Sequence, residues 1–162
     1  MNAGEYTHLL VAVDFEPESE VVVARAQRLR HLTGARLTLL HAIEHIPPSM
    51  EYLTLGYSGD IALPENRELE AELLAVAMRQ MDELGEQLDV AAPDRLVRVG
   101  ATGHVIDEVA EELGADLVIL GRHGRHGLLG FFGSTARTVL RHSTCDVLCV
   151  KIDDVSAPTS TA

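Results

Sequence analysis

Between Ile119 and His142 the chain reads ILGRHGRHGLLGFFGSTARTVLRH. Five glycines, Gly121, Gly124, Gly127, Gly130 and Gly133, fall within thirteen residues, directly before Ser134 and Thr135. An apolar, strand-like run precedes them and an amphipathic, helix-like run follows. Glycine amides unobstructed by side chains, joined to the positive end of a helix, are suited to gripping an anion. The helix dipole contributes only about 0.3–1 kcal/mol per charge at an exposed site. Direct N–H bonds to phosphate oxygens must therefore supply most of the binding. Ser134 or Thr135 adds a hydroxyl, and Arg122 or Arg125 a counter-charge. The stretch is not a Walker A loop, because no G-x-x-x-x-G-K-[ST] occurs.

Plainer roles stand beside these. Asp14 could cap the first helix, and Ser134 could cap the last. Gly127 and Gly130 read as a turn around Leu128 and Leu129, and Phe131 and Phe132 as packing or dimer contacts. His104, His123, His126 and His142 show neither the i, i+4 spacing of H-E-x-x-H nor a carboxylate in a ligand pattern, so no metal is expected. His41 reads either as a pocket-lining residue or as a local hydrogen-bonding one. No nucleophile elbow, Ser-His-Asp order or paired carboxylate stands out, and no residue is assigned a catalytic role. Glu108, Glu111 and Glu112 read as a solvated helix face. Cys145 and Cys149, the two cysteines, have neither redox nor zinc-ribbon spacing and read as small apolar residues on one face of a strand.

These residues need elements to carry them. THLLVAVDF, RLTLLHAIEH, DRLVRVG, DLVILG and CDVLCVKI read as strands. PESEVVVARAQRLRHLTGA, PENRELEAELLAVAMRQMDELGEQL, HVIDEVAEELGA and STARTVLRH read as helices. Pro17 suits a first helical turn, and Gly34 and Gly114 mark helix ends. In the first helix Val21, Val22, Ala24, Ala26, Leu29 and Leu32 are expected to line one broad face. In the second, Leu69, Leu73, Val76, Met81 and Leu84 are the apolar set. Strands without clean alternation, separated by helices, indicate an α/β protein: a parallel sheet with helices on both faces. In such sheets ligands bind beyond the carboxyl ends of the strands. Asp14, His41, Ala42 and the Gly121–Gly124 turn all reach that edge.

The 162 residues suit one domain, taken as 1–152, with 153–162 as a flexible tail. Residues 45–63 form a long connection with paired prolines, of a kind that often serves as a lid or partner surface. A net charge of −12 argues against nucleic-acid and anionic-membrane partners. No apolar run is long enough to span a bilayer, and no export signal is visible, so a cytoplasmic location is expected.

With these blocks in place, LLVAVDFEPES, LLHAIE, DLVILGRHGRHG and GSTARTVLRHSTCDVLCVKI together resemble the universal stress protein family, in particular its short single-domain members. The likeness spans about residues 5–152. It implies a Rossmann-like open sheet of five parallel strands in the order 3-2-1-4-5. It also implies a homodimer, paired in many members through the last strand, here residues 146–151.

By the same resemblance ATP is the ligand, with Mg2+ accompanying it. Asp14 would contact ribose or adenine, with Ala12 and Val13 flanking the base and Ala42 lining its pocket. Gly121 would border the ribose, and Gly124, Gly133, Ser134 and Thr135 would hold phosphates. Two departures count against this. Eight residues separate Gly124 from Gly133, one fewer than the family's usual spacing, and Glu16 stands where many relatives have serine. The expected function is an adenine-nucleotide-binding homodimer that regulates the stress response through a protein partner. Ligand-dependent ordering of residues 121–135 and 45–63 would signal to that partner. The alternative is a nucleotide-free dimeric interaction module of the universal stress protein A type. Slow ATP hydrolysis, known in some relatives, stays open.

Overall fold

The computed structural model describes residues 5–44, 65–123 and 133–153. The connection over 45–63, the central glycines and the tail beyond Asp153 lie outside the described residues. Among the described residues there are five strands: β1 (His8–Ala12), β2 (Arg36–Ile43), β3 (Arg95–Val99), β4 (Leu117–His123) and β5 (Asp146–Ile152). They are joined by α1 (Glu20–Thr33), α2 (Glu65–Gln87), α3 (Thr102–Leu113) and α4 (Ser134–His142). Short 3₁₀ turns, Pro17–Ser19 and Ala92–Asp94, precede α1 and β3.

All strand pairs are parallel and the order is β3-β2-β1-β4-β5. β1 is central, with Leu9 opposite both Leu37 and Leu117. Its Leu9, Leu10 and Val11 are fully buried, as expected where helices cover both faces. On one face Leu9, Val11, Leu39 and Ile119 pack with Val22 and Ala26 of α1 and Met81 of α2. On the other, Leu10, Leu40, Val118 and Leu120 pack with Ile106 and Val109 of α3 and Val139 of α4. Cys149 of β5 and Cys145, which precedes the strand instead of lying on it, are half-buried and pack on this second face.

Two apolar assignments need correction. On α1 the inward residues are Val22, Val23, Ala26 and Leu29, whereas Val21 and Ala24 are exposed and Leu32 is 73% exposed. On α2 Ala77, Met81 and Leu84 face the core, while Leu69, Leu73 and Val76 are 42%, 41% and 44% exposed. Each helix carries more apolar residues than its contact stripe can hold. Spacing alone does not say which stripe meets the sheet.

Both predicted stops hold. Gly34 and Gly114 end α1 and α3 in the left-handed conformation, at φ 70° and 62°. Pro17 opens the 3₁₀ turn, and α1 proper begins at Glu20.

Candidate functional site

The chain leaves β1 toward β2 on one side and later returns to lay β4 on the other. The connections from β1 and β4 therefore diverge at the carboxyl edge and open a crevice there. A cleft of about 760 Å³ occupies this position.

The β1–α1 corner forms one wall. Val13 N–H donates to Leu40 O at 2.8 Å, extending the β1–β2 pairing to the lip. Asp14 is exposed, and its Oδ1 accepts the Glu16 amide at 3.1 Å. Phe15 between them has φ 62°, a left-handed conformation rare for a bulky residue. At the end of β2, His41 Nδ1 lies 2.7 Å from Val13 O. Its ring packs on Phe15 with centroids 4.5 Å apart.

The first turn of α4 forms the opposite wall. Gly133 is its N-cap, with no side-chain cap, and the first helical bond runs from Arg137 N to Gly133 O at 3.0 Å. The amides of Ser134, Thr135 and Ala136 thus precede the helical ladder and are the natural donors for an anion. α4 is held there by close packing on α3. A Cβ on Gly103 would lie 2.6 Å from Thr138 Cβ, so the helices approach nearly backbone to side-chain stem. Thr102, the first residue of α3, donates from Oγ1 to Glu44 Oε1 at 3.1 Å and ties the ends of β2 and α3 together.

Ala12, Val13, Asp14, Ala42, Gly121, Arg122, Gly133, Ser134 and Thr135 all line this one cleft. Gly124 and Arg125 lie outside the described residues. The two capping alternatives do not hold. Ser134 follows the cap instead of forming it, and Asp14 closes a turn onto Glu16 without reaching a helix amide.

Glu18, not Glu16, lines the cleft and brings a carboxylate to its wall. Gly121 has a packing reason of its own. A Cβ there would meet Ile152 Cδ1 at 2.5 Å and Val22 Cγ2 at 3.0 Å. Beside Arg122, burial pushes the Cys149 thiol upward and the guanidinium charge opposes that shift.

Ser19, Thr102 and Ile106 are cleft residues that the sequence reading did not single out. The signal for Thr102 is its place at a third strand-to-helix junction on the same sheet edge. For Ser19 and Ile106 no sequence signal separates them from ordinary helix residues. Among the described residues no group of three or more His, Cys, Asp or Glu is arranged to hold a metal ion. No helix among them is long and apolar enough to cross a membrane.

Known proteins share this architecture. Universal stress protein A homolog 1 of Coxiella burnetii is 35% identical over 145 residues, covering 90% of this chain and 96% of that protein. The universal stress protein UspA of Lactobacillus plantarum superposes with a TM-score of 0.67 at 24% identity, covering 90% of this chain and 98% of that one. A universal stress protein solved in complex with cAMP superposes at 0.57 with 23% identity, covering 91% and 98%. The model of the Universal stress protein family matches residues 5–151. On its sequence the chain belongs to the universal stress protein family.

Proposed function

We propose that the protein binds an adenine nucleotide at the carboxyl edge of its sheet. One observation carries this reading: Asp14 lines the same cleft as Ser134, Thr135 and Ala136, whose amides precede the helical ladder. A carboxylate that accepts from ribose or base donors thus shares a cavity with N–H groups that donate to phosphate oxygens. Ala42, near the end of β2, would meet the base, and Arg122 on β4 would bring a positive charge to the same cleft. Mg2+ would arrive with the nucleotide, bound by phosphate oxygens and water. The cAMP complex of a structural neighbour supports a nucleotide of this class.

The protein acts, in this reading, as a cytoplasmic homodimer that regulates a protein partner, without appreciable turnover. β5 forms one edge of the sheet, with Val147, Leu148 and Cys149 only half-buried. Such an edge offers unpaired backbone groups to a second copy. Sedimentation at micromolar concentration tests the dimer.

The nucleotide is tested by calorimetry with ATP on wild type and on Gly124→Val. Binding to wild type with loss in the variant is the expected result. Because the chain has no tryptophan, co-purified adenine would also raise the absorbance at 260 nm relative to 280 nm. Two observations favour the rival, a nucleotide-free dimeric interaction module. The space before Gly121 is filled by Ile152 and Val22, and Glu18 places a negative charge on the cleft wall. No heat with ATP and no excess absorbance would select that rival.

A further inference from the structure

We propose that His41 is a specificity-determining residue, whose Nε2 accepts a hydrogen bond from an N–H or O–H donor of the bound ligand. The proposal rests on the nucleotide reading above. Nδ1 lies 2.7 Å from the Val13 carbonyl oxygen, which has lone pairs and no hydrogen to give. Nδ1 therefore carries the proton. In the neutral ring Nε2 is then a bare acceptor.

The ring cannot easily turn over to reverse this. Phe15 packs on it at 4.5 Å with the planes tilted by 38°. Phe15 itself is held at φ 62°, a conformation that persists only where its surroundings impose it. The imidazole, the aromatic ring and the carbonyl thus fix one another at the lip of the sheet.

Nε2 has no partner among the described residues, and it is not among the buried polar atoms sealed from solvent. His41 lines the same cleft as Asp14. The corner where β1 and β2 end therefore presents acceptors, and the α4 side presents donors. A ligand that fits brings its own donors to the first and its anionic oxygens to the second. A keto oxygen set against Nε2 would oppose lone pair to lone pair, and the site would reject it. On a nucleotide the matching donor is either the exocyclic amine of adenine or the ribose 2′-hydroxyl.

The test is calorimetric titration at pH 8 of wild type, His41→Asn and His41→Ala with ATP, ITP and 2′-deoxy-ATP. ITP replaces the amine by a keto oxygen, and 2′-deoxy-ATP removes one hydroxyl. Wild type should prefer ATP over one of the two by about five- to ten-fold, and the analogue that suffers identifies the donor. Asparagine places an amide near Nδ1 to keep the bond to Val13 O, yet has nothing at Nε2. His41→Asn should therefore stay folded, weaken ATP by a similar factor and erase the preference.

If wild type binds none of the three, the nucleotide reading falls and this inference falls with it. If wild type binds all three alike, or the preference survives in both variants, the role of His41 falls while the nucleotide reading stands. Should both variants fail to fold, ¹⁵N spectra of the wild-type ring decide. An Nδ1–H tautomer whose Nε2 resonance moves on adding ATP supports the proposal. An Nε2–H tautomer, or an unmoved resonance, overturns it.

Discussion

The two ends of the sheet are built differently. At the amino edge, charged side chains are committed to the chain's own backbone and to one another. Asp116 accepts the Thr7 amide and the Thr7 hydroxyl, both at 2.7 Å, and the His8 amide at 3.1 Å. Asp94 accepts from Arg36 Nε at 2.9 Å and from Thr38 Oγ1 at 3.0 Å, and Thr38 Oγ1 lies 2.8 Å from His8 Nε2. Arg30 reaches the carbonyls of Leu88 and Asp89, closing the end of α1 onto the end of α2.

At the carboxyl edge Asp14 spends one oxygen on a neighbouring amide, and the first turn of α4 has no side-chain cap. One edge satisfies its polar groups internally and so contributes stability. The other keeps polar groups in reserve along a cleft, at some cost to stability. Substitutions at the two ends should therefore separate folding from ligand binding.

The largest effect is expected from Asp116→Ala. Burial alone would raise this carboxyl, but the hydrogen bonds from Thr7 and His8 outweigh burial and hold it below the ordinary range. Removing it orphans those donors beside the start of β1. A loss of about 2 kcal/mol is expected, because solvent screens this half-buried group only in part. The urea midpoint measures it, and the ligand affinity of the folded fraction should not change. A comparable loss of affinity would show that the edges are not independent.

Gly121→Ala probes the opposite end through packing. Its new Cβ would press on Ile152 and Val22. Overpacking of this kind costs about 1–3 kcal/mol, and the flexible tip of Ile152 places this case toward the lower end. If Gly121 serves chiefly as packing space, stability falls while a ligand still binds. If it serves the ligand, affinity falls by more than the stability change accounts for.

The amino edge also predicts a pH dependence. Burial, and then the charge of Arg36, lowers the pKa of His8 from its ordinary value near 6.5. As pH falls through that value the unfolded chain takes up a proton that the folded chain refuses. Stability is therefore full above the unfolded pKa and falls as the solution is acidified below it. Asp94 and Asp116, both held below the ordinary carboxylate range, add a further loss only below about pH 4. Urea midpoints at pH 7.5 and 5.5 should differ in wild type. They should converge in His8→Gln, whose amide still reaches Thr38 but does not titrate.

The carboxyl edge was far more legible in the sequence than the amino edge. Asp14, Ala42 and Gly133 stand at junctions between strand-like and helix-like runs, and parallel α/β connectivity sends such junctions to one edge. The amino-edge network joins Thr7 to Asp116 and Thr38 to Asp94 across 109 and 56 residues of chain. No local pattern records a partner so distant. The inward faces of α1 and α2 were illegible for a different reason. Val21 and Leu32, like Leu69 and Val76, keep helical spacing while facing outward. The cleft also hid a detail that spacing does not encode. Glu18 lines it although Glu16 stands in the motif position, because the 3₁₀ turn over Pro17–Ser19 sets which carboxylate meets the cavity.

The smallest expected change in stability is the one that most sharpens the contrast between the edges. Gly133 sits at the N-cap of α4 with φ −55° and ψ 165°, angles open to any residue, and among the described residues a Cβ there would meet nothing within 4 Å. Gly133→Asp is therefore sterically free. Its carboxylate would accept from the first-turn amides of α4 and complement the positive end of the helix dipole, stabilising the fold by about 0.5–1 kcal/mol. Those are the amides assigned to phosphate, so the same change should weaken nucleotide binding by charge repulsion and by occupying its donors. A higher urea midpoint together with lost ATP heat is the expected pair of results. A higher midpoint with ATP binding intact would mean that the phosphates are held elsewhere. The first turn of α4 would then serve only to begin a helix.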